Sequence, residues 1–179
     1  MIALDPLPRI AGDIVLRRLA PADLAAFQAY RQDAAVALYQ GWTIRNDAEA
    51  ATFLAEMGSA TLLRPGEWSQ LGIADRDTLA LVGDIGLLLA SDGREAEIGF
   101  TLRPQSQGRG KGTAAVRAAI ELVFEHTRAE RVLGITDVRN EPSIRLLRRA
   151  GMHFVESRAA TFRGEPCEEH VHAIARPAT

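Results

Sequence analysis

With one cysteine, Cys167, in 179 residues, the chain has no intrachain disulfide to hold it together. Lysine is as scarce: of 21 basic side chains only Lys111 is a lysine. Positive charge is not in excess either. The formal net charge is -2, and a protein devoted to nucleic acid usually carries a strong basic surplus. No long apolar run is present. The most apolar stretch, Leu79 to Ala90, is interrupted by Gly83, Asp84 and Gly86 and falls far short of the ~20 residues that cross a bilayer. The opening Met1-Ile2-Ala3-Leu4-Asp5-Pro6 lacks a basic segment leading into an apolar core, so no secretory signal is expected. These absences predict a cytoplasmic protein with neither membrane nor nucleic acid as partner. Repeats and low-complexity linkers are also missing.

What is there is ordinary globular material, with 47% hydrophobic and 25% charged residues. The length predicts one compact domain over residues 1–179. Ile14 to Arg17 reads as a first strand. Pro21-Ala22-Asp23 opens a helix whose apolar side is Leu24, Phe27 and Ala35, ended by Gly41. Asn46 or Asp47 caps a second helix with Phe53, Leu54 and Met57 on its core face. Strands follow at 71–74, 79–89 and 95–102, with a hairpin signal at Ser91-Asp92-Gly93. In the last of these, Ala96, Ile98, Phe100 and Leu102 share one face, and Glu95, Glu97, Gly99 and Thr101 share the other. An amphipathic helix over 113–127 repeats Val116, Ile120 and Val123. A strand at 131–138, a short helix at 141–150 stopped by Gly151, and closing strands at 154–160 and 171–175 complete the chain. The order predicts an α/β (α+β) fold, a mixed sheet with helices on both faces.

The most informative segment is Gln107-Gly108-Arg109-Gly110-Lys111-Gly112-Thr113, between a strand and a helix. Its glycines let backbone approach a ligand, and the free N–H groups of the helix start point into the same place, which suits a phosphate or diphosphate. From Ile98 to Ile120 there is no acid, while Arg103, Arg109, Lys111 and Arg117 are all cations. A P-loop is excluded, since Gln105 stands where its first glycine belongs and Gly112 where its Ser/Thr belongs. A Gly-x-Gly-x-x-Ala match at Gly110, Gly112 and Ala115 leaves too little chain behind it for a usual dinucleotide sheet.

The remaining pattern, Gln/Arg-x-x-Gly-x-Gly/Ala at Gln107, Gly110 and Gly112, resembles the acetyl-CoA loop of the GNAT acetyltransferase superfamily. Residues 95–102 look like the family's fourth strand, and residues 140–152 like its second CoA motif. Residues 162–170 are similar to the closing hairpin of the branch that acetylates ribosomal-protein N-termini. The resemblance spans residues 14 to 175 and departs mildly at Met152-His153-Phe154, where the family usually has Gly-Phe. It implies a GNAT-like, mostly antiparallel central sheet. It also implies acetyl transfer from acetyl-CoA, as co-substrate, to a primary amine, either a protein N-terminus or a small-molecule amine. Gln107, Gly108, Arg109, Gly110, Lys111, Gly112 and Thr113 would hold the diphosphate. Phe100 and Leu102 would pair with the pantetheine arm, and Asn140 and Ser143 would flank the pantetheine and sulfur. A homodimer and a non-catalytic acyl-CoA-binding module stay open as alternatives.

The chemistry needs a base, because an α-amine of pKa ~7.7–8.0 is largely protonated at neutral pH. Glu97 is the candidate, acting through water, with Glu95 as the neighbour on the same face. The family often protonates the departing thiolate from a tyrosine after the second motif. Here the only tyrosines are Tyr30 and Tyr39, so Ser143 is the candidate acid. Tyr39, Trp42 and Trp68 are candidates for the acceptor wall or for packing. No metal is expected, since His170 and His172 with Cys167 match no common ligand spacing.

Overall fold

The computed structural model describes residues 5–178; Met1 to Leu4, part of the segment read for a leader, lie outside the described residues. Strands β1 (Arg9–Ala11) and β2 (Ile14–Arg18) lead into helices α1 (Leu24–Arg31), α2 (Ala34–Ala37) and α3 (Asp47–Ser59). Then come β3 (Trp68–Asp75), β4 (Leu81–Leu89) and β5 (Glu95–Leu102), followed by α4 (Lys111–His126). The chain closes through β6 (Arg131–Asp137), α5 (Glu141–Arg149), β7 (His153–Phe162) and β8 (Glu165–Ala175). These strands form one sheet in the order β1-β2-β3-β4-β5-β6-β8-β7. Every neighbouring pair is antiparallel except β5 with β6, which run parallel.

The N-terminal helical reading needs correction. The expected single helix from Pro21 to Gly41 is a 3-10 turn at Pro21–Asp23 followed by two helices. Asp33 causes the break: its carboxylate accepts from the N–H groups of Ala35 and Val36, at 2.9 and 3.2 Å, and starts α2 afresh. In α3 the cap is Asn46, in a reciprocal box with Glu49. The strand β1 carried no signal of its own, being three residues long beside Gly12. β8 begins at Glu165, six residues before the sequence reading placed it.

One sheet face packs on α4. Ile73, Ile85, Leu87 and Ile98 meet Val116, Ala119 and Val123 there, all 2% exposed or less. Phe27, Tyr30 and Leu54 of α1 and α3 cover part of the other face. Helix α5 lies over β6 with Ile144 and Leu147 inward and its arginines outward. Leu147 settles on bare backbone, since a Cβ at Gly134 would stand 2.6 Å from Leu147 Cδ2. Burying a leucine of this kind contributes ~1.5–3 kcal/mol and fixes α5 beside the end of β6.

On the α4/α5 side, His172 of β8 is fully buried, and neither ring nitrogen has a hydrogen-bond partner among the described residues. Burial, with Arg148 nearby, holds its imidazole below the ordinary histidine range. The unfolded chain therefore takes up the proton first as pH falls through about 6.5, and stability drops with it. The urea midpoint should fall between pH 7.5 and pH 5.5 by more in the parent protein than in His172→Leu; equal falls would mean that His172 stays neutral at no cost.

Candidate active site

The site is made by a parting of strands. β5 and β6 pair only from Glu95 opposite Arg131 to Ile98 opposite Gly134. β5 then continues to Leu102 beside β4, while β6 continues to Asp137 beside β8. Between them β5 has a bare edge. N–H and C=O of one residue point to the same side of a strand, and successive residues alternate. Phe100 and Leu102 turn theirs into the gap, since their carbonyls accept from Gln40 Nε2 (3.2 Å) and Gln107 Nε2 (3.0 Å). The two residues expected to pair with an extended arm are thus the two whose backbone is offered.

A cleft of about 360 Å³ opens at this gap. Gln107, Gly108, Gly110, Gly112 and Thr113 line one end, Asn140 and Ser143 another, and Phe100, Thr101 and Leu102 the strand between. Gly108 and Gly110 have φ of 71° and 77°, and a Cβ at either would meet nothing, so the loop stands open. Gly110 precedes the first turn of α4, whose first N–H groups have no intrahelical acceptor. At Gly112 the helix is pressed against its neighbours, with a Cβ 2.6 Å from Leu146 Cδ1 and 2.8 Å from Leu102 Cδ1. Asn140 Oδ1 caps α5 by accepting from Ser143 N at 3.4 Å.

The cations expected in the loop are placed differently. Lys111 does not line the cleft: its ammonium lies 2.5 Å from Asp75 Oδ2, across the sheet end, and holds that carboxyl far below its usual range. Arg103 bonds Ser106, and Arg117 bonds the Arg149 carbonyl at the end of α5. Arg109 is exposed and also does not line the cleft. The cations that do line it, Arg145 and Arg149, come from α5 and were missed. The signal was there in the spacing of charge along 145–149, but it reads equally as a solvated helix face. Arg145 is paired with Glu141 at 2.9 Å.

Glu97 stands on the sheet face opposite α4, in register with Leu88 and Leu133. Burial pushes its carboxyl above the ordinary range; Arg158 opposes this and Glu169 adds to it. Glu95 is at the far end of the strand, bonded to Arg131 Nε at 2.7 Å, and is not available to a reacting group. Tyr39, with Ala35, Val36 and Gln40, forms the cleft wall opposite α5. Trp42 packs over the Arg31 guanidinium, 4.4 Å from carbon to ring centre, and Trp68 is half exposed. Arg163, at the turn between β7 and β8, donates to the carbonyls of Ala37 and Gln40, both at 3.1 Å, and so ties that wall to the hairpin.

Residues 13–153 match the family model described as an acetyltransferase (GNAT) domain. The chain is 27% identical over 167 residues to an uncharacterized N-acetyltransferase, YoaA, of Bacillus subtilis, covering 92% of this chain and 94% of that protein. Its fold superposes on a GNAT-family acetyltransferase from Bacillus anthracis with a TM-score of 0.81 at 20% identity, covering 93% of this chain and 96% of that one. It also superposes on an acetyltransferase from Salmonella typhimurium that modifies the N-terminal serine of ribosomal protein L7/L12. There the TM-score is 0.78 at 15% identity, with 95% and 99% covered.

This geometry divides the cations by role. Arg149→Ala should weaken acetyl-CoA about tenfold in titration calorimetry, the scale of one charge-assisted contact. Lys111→Met should leave that affinity within twofold yet lower the unfolding midpoint, because Asp75 loses its partner. The reverse pattern would put the lysine, not the α5 arginine, on the phosphates.

Proposed function

Because the chain belongs to the GNAT acetyltransferase family, we propose that it acetylates the N-terminal amine of a protein, using the β5–β6 gap as its reaction centre. Use of acetyl-CoA follows from the family; the acceptor and the residue roles are the proposal. The observation that carries the acceptor is the charge balance of the face on which Glu97 stands. A small polycationic amine needs an unbalanced acidic pocket. Here Asp84, Asp137 and Glu169 each already face an arginine, namely Arg31, Arg139 and Arg158. With these three acids paired, and Glu97 and Glu156 without an ion pair among the described residues, the face suits a peptide N-terminus, which brings a single positive charge. The Salmonella relative modifies such an amine, an N-terminal serine.

The residues present fit acetyl-CoA. The open loop at Gly108 and Gly110, with the first turn of α4, offers backbone N–H groups to the diphosphate, and Arg149 adds charge. The bare edge at Phe100 and Leu102 pairs with the amides of the arm, which displace or share the Gln40 and Gln107 contacts. Asn140 and Ser143 flank the arm from α5. When bound, acetyl-CoA supplies a thioester whose carbonyl carbon accepts the amine. The Phe100 N–H, turned into the gap, is the donor for the oxygen that becomes negative.

Glu97 removes the proton. Its burial raises its affinity for protons toward that of the amine it must serve, which is the matching a general base requires. Ser143 gives a proton to the departing sulfur, and Tyr39, on the opposite wall of the same cleft, carries the more acidic hydroxyl. A non-catalytic acyl-CoA-binding module gains no support from the relatives, which are acetyltransferases by name.

Glu97→Gln should lower kcat/KM for a peptide acceptor about 100-fold at pH 7, with recovery as pH rises and more amine is already neutral. An unchanged pH profile would remove Glu97 as the base. Ser143→Ala should lower kcat while the acetyl-CoA dissociation constant stays within threefold; if Tyr39→Phe lowers kcat and Ser143→Ala does not, the acid is the tyrosine.

A further inference from the structure

The face carrying Glu97 holds a second arrangement that the cofactor cleft does not use. Along one row across the sheet, Gln70 of β3 lies opposite Gly86 of β4, and Gly86 opposite Gly99 of β5. The two glycines leave a floor without side chains beside the point where β5 parts from β6. A Cβ at Gly99 would meet nothing within 4 Å. At Gly86 a Cβ would stand 3.0 Å from Gln70 Oε1 and 3.1 Å from the Trp68 ring. The trough is therefore open over Gly99 and ends at Gly86, which is buried beneath the half-exposed Trp68 and the Gln70 amide.

The orientation of that amide is fixed from below. Asp84, 1% exposed, accepts from Tyr30 Oη (2.5 Å), Arg31 Nη2 (2.8 Å) and Gln70 Nε2 (2.5 Å). A carboxylate held by an arginine and a phenol only accepts, so Gln70 must present nitrogen to it. Gln70 Oε1 is left over the trough and takes no hydrogen bond from the described residues. The Asp84 charge is consumed by Arg31, so what reaches the trough is a neutral acceptor over Gly86, the register partner of Gly99.

We propose that Gln70, oriented by the buried Asp84–Arg31–Tyr30 cluster, is a specificity-determining residue that accepts the first peptide N–H of the amine acceptor. This rests on the proposed peptide acceptor and deepens it. An amine seated at the gap beside Gly99 has its next peptide nitrogen one residue back along the trough, within reach of Oε1. Gln70 thereby distinguishes a peptide from an amine with no donor behind it, and Asp84 acts as a positioning residue through Gln70.

The test uses an N-terminal serine tripeptide and its analogue methylated at the first peptide nitrogen, in a thiol-release assay. The parent protein should favour the unmethylated peptide about tenfold in kcat/KM, the scale of one neutral hydrogen bond. In Gln70→Ala the ratio should fall to near one, with the acetyl-CoA dissociation constant within twofold of the parent protein. Asp84→Ala removes the acceptor that holds Nε2 and frees the amide to turn, so the ratio should fall there too; Gln70→Ala carries the test if that variant does not fold. A parent ratio near one, or a tenfold ratio surviving in Gln70→Ala, overturns the role of Gln70 and leaves acetylation of peptides standing. A protein that acetylates other amines but neither peptide overturns the peptide acceptor, and Gln70's role with it.

Discussion

The structure turns on the four residues of β5 that lose their partner. After Ile98 the ladder to β6 ends, and the backbone of Phe100 and Leu102 faces a gap instead of a strand. Unpaired backbone groups are costly inside a protein, each on the order of 1–3 kcal/mol when buried. The chain tolerates the gap because it opens as a cleft and because two glutamine side chains cover the carbonyls. Every other functional element is placed relative to this edge. The α4 loop closes one end and α5 one side, while the segment after α2 forms the opposite wall. Glu97 stands one residue before the parting and Gly99 one residue after it.

Packing fixes the parting. Gly134, the last β6 residue paired to β5, carries no side chain, and Leu147 and Met152 fill that space. Helix α5 is thereby seated over β6 and β8. On the other side, Gly112 lets α4 press onto Leu102, so the loop start and the strand end form one rigid unit. The buried pair of Arg31 with Asp84 ties α1 to β4 beneath the acceptor face. Such a pair adds little net stability, but breaking it by removing one partner costs about 3–5 kcal/mol, so it holds α1 in one place.

Much of this was legible in the sequence because it is local. The alternation of Ala96, Ile98, Phe100 and Leu102 against Glu97 and Gly99 marked both the strand and which residues share each of its faces. The glycines at 108, 110 and 112 before an amphipathic helix marked the loop that lines the cleft at the start of α4. What stayed hidden depends on contacts between distant segments. Asp33 competes with a continuous helix through its own side chain, a choice that apolar spacing does not record. Lys111 finds Asp75 across the sheet, which no reading of the loop alone reveals. Glu95 and Glu97 share a face, yet only the fold shows one ion-paired at the strand end and the other desolvated at its middle. Gln70 and Asp84 are unremarkable polar residues in apolar strands until Tyr30 and Arg31 arrive from α1.

The central claim is that the bare edge of β5 and the loop before α4 are one binding surface. Amide hydrogen exchange with and without acetyl-CoA tests it directly. Protection should rise at residues 100–102 and 108–113 together, with little change at the β7 edge or in α3. Protection at the loop without the strand, or at neither, would contradict it.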